Sequence, residues 1–456
     1  MNVKVRVWVI VLTLSAGQAL SHAQTDTSAT EVQPLSTTQL AAWLVGGVSS
    51  SRLTRMVTEH GFATPLKPSD LHQLELCGAG KDLLRALRSQ HARSATGASA
   101  IPSSLLKAAQ LARSQRFHEA ETELRQVLNT DQANSALHFA LAAMLRQQQE
   151  WDEASDEIEM ALRLMPELPE NHSAMAYLFY LQDDGPNAIA EARTALSLDP
   201  KNAEAYQYLG LGQYSAGDYK AAIHSYTESL VYDHDNADTY YDMGIALHAA
   251  GNMPRAVAAY QRAIELRPAF WEAHANLGLI RHEEGNLAGA VTEYREARRI
   301  APAEASVRNN LANTYCDAGN FDAAIAELKE LYREHPEWQL GHACLASAYM
   351  AKNNFAAAVA ELRLTVQQNP EGAAEHRILG QALLLDDKPE EAVHELRVAV
   401  SLNPDSEQSH HLLGTALYQQ QDLSAAEKEF SRSPAGEWLR RKSFLAGSLP
   451  DKYGPL

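Results

Sequence analysis

A single spacing constrains this chain more than any other feature. From Ile101 onward the sequence recurs every 34 residues, with first positions at 101, 135, 169, 203, 237, 271, 305, 339, 373 and 407. Position twenty is alanine in all ten copies, from Ala120 and Ala154 to Ala392 and Ala426. Position eight is always Ala or Gly, as in Ala108, Gly244 and Gly414. Position 32 is proline in seven copies, and position sixteen is Asp or Asn in six consecutive ones, Asp184 to Asn354. The copy from Ala237 to Phe270 shows what repeats. Tyr240, Met243, Gly244 and Leu247 recur at helical steps, then Ala256, Tyr260, Ala263 and Ile264 do so again. Gly251-Asn252 supplies a helix stop and then an N-cap, and Pro268 ends the second helix. Each copy therefore predicts a helical hairpin.

Small residues at positions eight and twenty let two helices approach closely. The large residues at position 24, Tyr226, Tyr260, Tyr294 and Leu328, are expected to fill space between neighbouring hairpins. One hairpin cannot bury its apolar face alone, so successive copies must stack into a continuous core. The small-residue, aromatic and proline spacing resembles the tetratricopeptide repeat over about three quarters of the chain. That resemblance implies an all-α, right-handed superhelical solenoid of about ten hairpins. Position four departs from the family, carrying His138, His172, His274, His342, His376 and His410 where an aromatic is usual.

Residues 1–23 pair Lys4 and Arg6 with the apolar run Val7 to Leu14 and small residues at Ser21-His22-Ala23, the pattern of a cleaved secretory signal. An uncleaved anchor is the alternative. Residues 24–35 read as a disordered segment, and 36–91 as a small helical module with helices near 40–45, 52–60, 69–76 and 81–87. Residues 92–100 read as a linker, and 101–440 as the repeat array. Pro434 is expected to break the last helix, Glu437 to Leu445 to form a capping helix, and 441–456 to hold its end and a tail.

The formal charge is −18, and −20 once Lys4 and Arg6 leave with the signal. An acidic exported chain repels nucleic acid, and no later apolar run is long enough to span a membrane. The expected location is periplasmic or extracellular. Cys77, Cys316 and Cys344 are an odd count; a Cys316–Cys344 disulfide is open, but two buried free thiols are favoured. The position-four histidines are separated by two helices' worth of packing, too far to share a zinc ion, and read as packing residues. Gly78-Ala79-Gly80-Lys81 lacks the first glycine and the final Ser or Thr of a phosphate loop. With no catalytic signature and no stretch left for a catalytic domain, the expectation is a non-enzyme with no cofactor and no metal.

The resemblance implies a working groove lined by positions 2, 5, 6, 9, 12 and 13 of each first helix. Carried onto this chain, these include Phe139, Tyr177, Tyr180, Tyr208, Tyr214, Tyr241, His248, Asn276, His282, Asn309, Asn310 and Asn313, with Glu170, Glu204, Asp238 and Glu272 at position two. Aromatic side chains suit a groove for a peptide or helix, and asparagine amides can pair with an extended backbone. Chaperone-binding members hold a terminal carboxylate with basic residues, but here only Arg113 and Arg377 stand in such slots. A neutral or basic partner fits better. The leading function is a protein-interaction scaffold in the cell envelope. The alternatives are an accessory of glycosyl transfer or carbohydrate processing, and a self-assembling structural subunit.

Overall fold

The computed structural model describes residues 35–62, 66–89 and 101–432. The signal, the linker, the Pro434 break and the C-terminal cap lie outside those residues. Within them are 24 α-helices and no strand; Leu35 and Phe62 make one isolated parallel bridge. The chain divides into two compact units, residues 1–164 and 165–456.

In the first unit, α1 (Thr37–Val45), α2 (Ser50–His60), α3 (Pro68–Cys77) and α4 (Lys81–Ser89) precede two hairpins. The third begins before Ser69: Lys67 is its N-cap residue, and its backbone N–H donates to the Asp70 carboxylate at 2.8 Å. The hairpins are α5 (Ser103–Arg113) with α6 (Phe117–Leu128), and α7 (Ser135–Gln147) with α8 (Trp151–Leu164). α1 packs on α5 and α7, and α3 on α5, so the small module shares a core with the first two repeats.

In the second unit eight hairpins follow: α9 (Pro169–Leu181) and α10 (Gly185–Leu198), α11 (Ala203–Ser215) and α12 (Tyr219–Tyr232), α13 (Ala237–Ala249) and α14 (Met253–Leu266), α15 (Trp271–Glu283) and α16 (Leu287–Ile300). Then come α17 (Ala305–Asp317) and α18 (Phe321–Glu334), α19 (His342–Ala351) and α20 (Phe355–Gln368), α21 (Ala373–Leu385) and α22 (Pro389–Leu402), α23 (Glu407–Gln419) and α24 (Leu423–Phe430). Within this unit each second helix packs on its own first helix and on the first helix of the next hairpin, so the hairpins stack in sequence order.

The repeat positions explain the boundaries. All ten second helices start at position seventeen, and Asp184, Asp218, Asn252, Asn286, Asn354 and Asp422 cap them by accepting a backbone N–H. Asn320 stands at the same place but makes no side-chain cap bond. Position twenty is closed by contact: its ten alanines are at most 1% exposed. The large residues at position 24 reach the next hairpin as expected: Tyr226 shares a core with Ala246, and Tyr260 with Ala273 and Leu277. They also pack inside their own hairpin, over position eight: a Cβ on Gly210, Gly244 or Gly414 would fall 2.5–2.7 Å from the nearest ring carbon of Tyr226, Tyr260 or Phe430. One first helix is short. α19 starts at position four, after Gly341 in a left-handed turn at φ 100°.

Every hairpin turn places position fifteen in the left-handed region. Gly217, Gly251, Gly285 and Gly319 occupy four turns, while Gln115, Gln149, Asp183, Asn353, Asp387 and Gln421 hold φ between 57° and 66° in the others. A left-handed L-residue costs roughly 1–2 kcal/mol, partly offset by the greater unfolded-state freedom of glycine. Gln149→Gly is therefore expected to stabilise the chain by about 0.5–1 kcal/mol. A rise in urea midpoint checks it; a fall contradicts this account of the turn.

Candidate functional site

Positions five, six and nine of the first helices, among the groove positions that the family resemblance supplies, meet different surroundings in the two units. In the first unit that face is covered by the chain itself. Gly46, closing α1, sits against Phe139, where a Cβ would fall 2.7 Å from the ring and 3.3 Å from the Ala140 Cα. Phe139 is therefore buried rather than open to a partner, because the module needs it as cover for its own apolar helices. Arg113 is used likewise, donating from Nη2 to the Glu75 carbonyl at 3.3 Å. Cys77 is a buried free thiol whose pKa burial pushes up to about 11, leaving it inert.

In the second unit the face is partly open. Tyr177 lies 6.2 Å from Tyr180 and 5.0 Å from Tyr208 between ring centroids, and all three pack with Tyr214 around Leu211 and Tyr226. Burial pushes the Tyr180 and Tyr241 hydroxyls up to about 12, so they act as neutral hydrogen-bonding groups. Asn276 donates to the Tyr241 hydroxyl at 3.3 Å. Beside this pair is a cleft of about 190 Å³, walled by Tyr241, Trp271, Glu272, Asn276, Leu279 and Asn310. Asn313 is partly exposed on the same helix as Asn310.

Other expected groove residues serve the stack. His248 pairs with Glu283 at 3.1 Å and His282 with Asp317 at 2.7 Å, each joining position twelve to position thirteen of the next repeat. Asn309 is buried beside Gly341, its Oδ1 without a hydrogen-bond partner. Of the position-two carboxylates, Glu170 is buried, Glu204 and Asp238 are exposed, and Arg267 holds Asp238 with bonds of 2.8 and 2.5 Å.

Sequence models of the tetratricopeptide repeat match residues 105–169, 241–305 and 345–407, and a second such model matches 281–346. A TPR repeat model adds 213–251, and together they cover more than half of the chain. The chain belongs to the tetratricopeptide repeat family. No curated protein sequence matches it significantly. The structure is similar to the one described as the APC/C hetero-tetramer Cut9-Hcn1, with 16% identity and a TM-score of 0.47, covering 69% of this chain and 62% of that one. It is also similar to Pseudomonas aeruginosa pilF, with 18% identity over 45% of this chain and 93% of that one and a TM-score of 0.40. YrrB, titled a TPR protein with an unusual peptide-binding site, shows 24% identity over 43% of this chain and 98% of that one, with a TM-score of 0.35. The chain thus spans less than two thirds of the length of the chain it matches in the Cut9-Hcn1 structure.

The repeat array also explains its histidines. Each position-four histidine places Nδ1 against the glutamate at position 23 of its own hairpin: His138–Glu157, His172–Glu191, His274–Glu293, His342–Glu361, His376–Glu395 and His410–Glu429, at 2.5–2.7 Å. Nε2 of His138 and of His172 meets a backbone carbonyl, of Gln132 and Pro166 respectively. Two acceptors facing one ring favour the doubly protonated form. The bond to Glu157 chiefly raises the His138 pKa above its usual value; for His172 burial opposes the charge, but Glu191 and the Pro166 carbonyl outweigh it. A raised histidine contributes stability that is fully present below pH ~6.5 and is lost as pH rises through the folded-state value. Glu157→Gln is thus expected to cost more stability at pH 6 than at pH 8.5, read by thermal unfolding; an equal cost at both would remove the charge from the account. Among the described residues, no three His, Cys, Asp or Glu side chains gather as metal ligands do.

One functional candidate escaped the sequence reading. Asp242, at position six of α13, is partly buried and accepts a 2.8 Å bond from the Gln207 amide. Burial pushes its carboxyl up to about 7 against the pull of that bond, with the charge of Asp238 adding to the rise. The signal was an acidic residue on an otherwise apolar and aromatic helix face.

Proposed function

We propose that this chain is a non-enzymatic scaffold that binds a protein partner along the first-helix face of residues 165–432, in the cell envelope. Tetratricopeptide repeat proteins bind protein or peptide partners, and the observation that carries the reading here is the cleft walled by Tyr241, Glu272, Asn276 and Asn310. It offers aromatic area, amide donors and acceptors, and one carboxylate, which suits a peptide or a helix of neutral or basic character. The charge of −18 argues against nucleic acid. No helix of the described residues is long and apolar enough to cross a membrane.

The envelope location draws on two features. The signal pattern of residues 1–23 is one; the Cys316–Cys344 disulfide, a bond rare in reducing compartments, is the other. Affinity capture from envelope extract tests the function. Wild-type protein should retain a defined partner that is lost when Tyr177→Ala and Tyr214→Ala are combined. Equal retention by both proteins would remove this face from the function. Mass spectrometry of the mature protein tests export: an intact Met1 would contradict cleavage.

A further inference from the structure

Asp242 is the only acidic residue at position six among the ten repeats; the others carry Leu106, Ala140, Ala174, Tyr208, Asn276, Asn310, Cys344, Ile378 and Leu412. It is not needed to satisfy the fold. Its one hydrogen bond comes from Gln207, which an asparagine oxygen could equally accept, and among the described residues no Lys, Arg or His pairs with it. The groups facing it are Tyr180 from α9, Tyr226 from α12, Tyr241 and Asp238 on its own helix, and Tyr260 from α14. None is a cation.

A partly desolvated carboxylate with no counter-charge costs stability, and such a cost at a groove position is a mark of binding. Asp238 nearby is already neutralised by Arg267, whereas Glu272, on the wall of the adjoining cleft, makes no direct ion pair among the described residues and feels Arg267 only at longer range. The unmet charge of this stretch is therefore negative and is bordered by aromatic rings. One carboxylate among phenols offers too few ligands for a metal ion. It matches an organic cation that can meet the carboxylate with its head and the rings with its stem.

We propose that the tyrosine-lined site at Asp242 receives the side chain of a lysine or arginine from a peptide lying along the first-helix face. The inference rests on the reading of that face as a peptide-binding surface and adds what the peptide must carry. The carboxylate supplies the charge complement, and Tyr180 and Tyr241 supply the surface on which the aliphatic stem lies. Because the Asp242 carboxyl titrates near neutrality, capture of the cation strengthens as pH rises through about 7.

The test passes degenerate decapeptide pools, each with one fixed central residue, over the immobilised full chain. Pools fixed as Lys or Arg should be retained about tenfold more at pH 8 than pools fixed as Leu or Glu, with the margin shrinking at pH 5.5. Asp242→Asn should abolish the preference while unfolding at the same or a higher temperature at pH 8, and Asp242→Glu should keep it. An undiminished preference in Asp242→Asn, or equal retention of the Lys and Leu pools, overturns the inference and leaves the peptide-binding surface standing. Retention of no pool overturns both.

Discussion

Gly244→Ala is expected to destabilise the native chain by about 1–2 kcal/mol, yet to stabilise the Tyr260→Leu protein by about 1 kcal/mol. The reversal follows from what lies above position eight. In α13 a Cβ on Gly244 would fall 2.6 Å from Tyr260 Cε1 and 2.7 Å from Cδ1, and Tyr260, 1% exposed, has nowhere to move. The overpacking exceeds the roughly 1 kcal/mol by which alanine outranks glycine in a helix. Tyr260→Leu alone removes ring atoms from a closed core and should cost about 2–4 kcal/mol. In that background the new methyl group fills space, and only the helix gain remains. The chain already contains both solutions: Gly210, Gly244 and Gly278 face Tyr226, Tyr260 and Tyr294, whereas Ala312 and Ala346 share a core with Leu328 and Leu362, and Gly380 keeps the smaller residue under Leu396. Coupled hairpins need not unfold in one step, so amide exchange in α13 and α14 should be followed beside urea unfolding. Additive single effects would contradict the packing.

Removing the disulfide should cost about 3–4 kcal/mol, the loop-closure value for a cross-link of this span. Cys316, at position twelve of α17, is bonded to Cys344, at position six of α19, with Cα atoms 6.0 Å apart and the two cysteines 28 positions apart in sequence. The sequence favoured two free thiols, since a count of three cysteines implies no pairing. What it did not show is that stacking brings position twelve of one first helix beside position six of the next. The bond ties α17 to α19 where the connection between repeats is irregular, with Gly341 in a left-handed turn and α19 starting late. Urea unfolding of the oxidised protein and of the Cys316→Ala, Cys344→Ala double variant gives the difference. No change in stability would mean that these thiols are not cross-linked in the native protein.

The hairpin boundaries were legible because each rests on local chemistry. An Asp or Asn cap, a proline at position 32 and an invariant alanine act within a few residues of where they stand. The packing of position 24 onto position eight was less so, because helical periodicity gives a face and not the neighbour that meets it. The pairing of histidine with glutamate was written in the sequence and missed: every position-four histidine has glutamate at position 23, while Tyr206 and Tyr240 have Ser225 and Ala259. At the candidate site, Tyr241, Asn276 and Asn310 share one cleft as the repeat positions implied, but Phe139 is covered by Gly46. That contact joins residues 93 positions apart through a module whose docking carries no repeat signal. Asp242 was passed over because the reading favoured aromatic and amide side chains at the groove positions.

Site-specific photo-crosslinking in intact cells tests the central claim most directly. A benzophenone side chain placed at Tyr214 or Asn310, on first helices, should give a discrete protein adduct, and one at Lys220 or Glu265, exposed on second helices, should give none. Adducts from Lys220 or Glu265 with none from Tyr214 or Asn310 would contradict the claim that this chain works through its first-helix face.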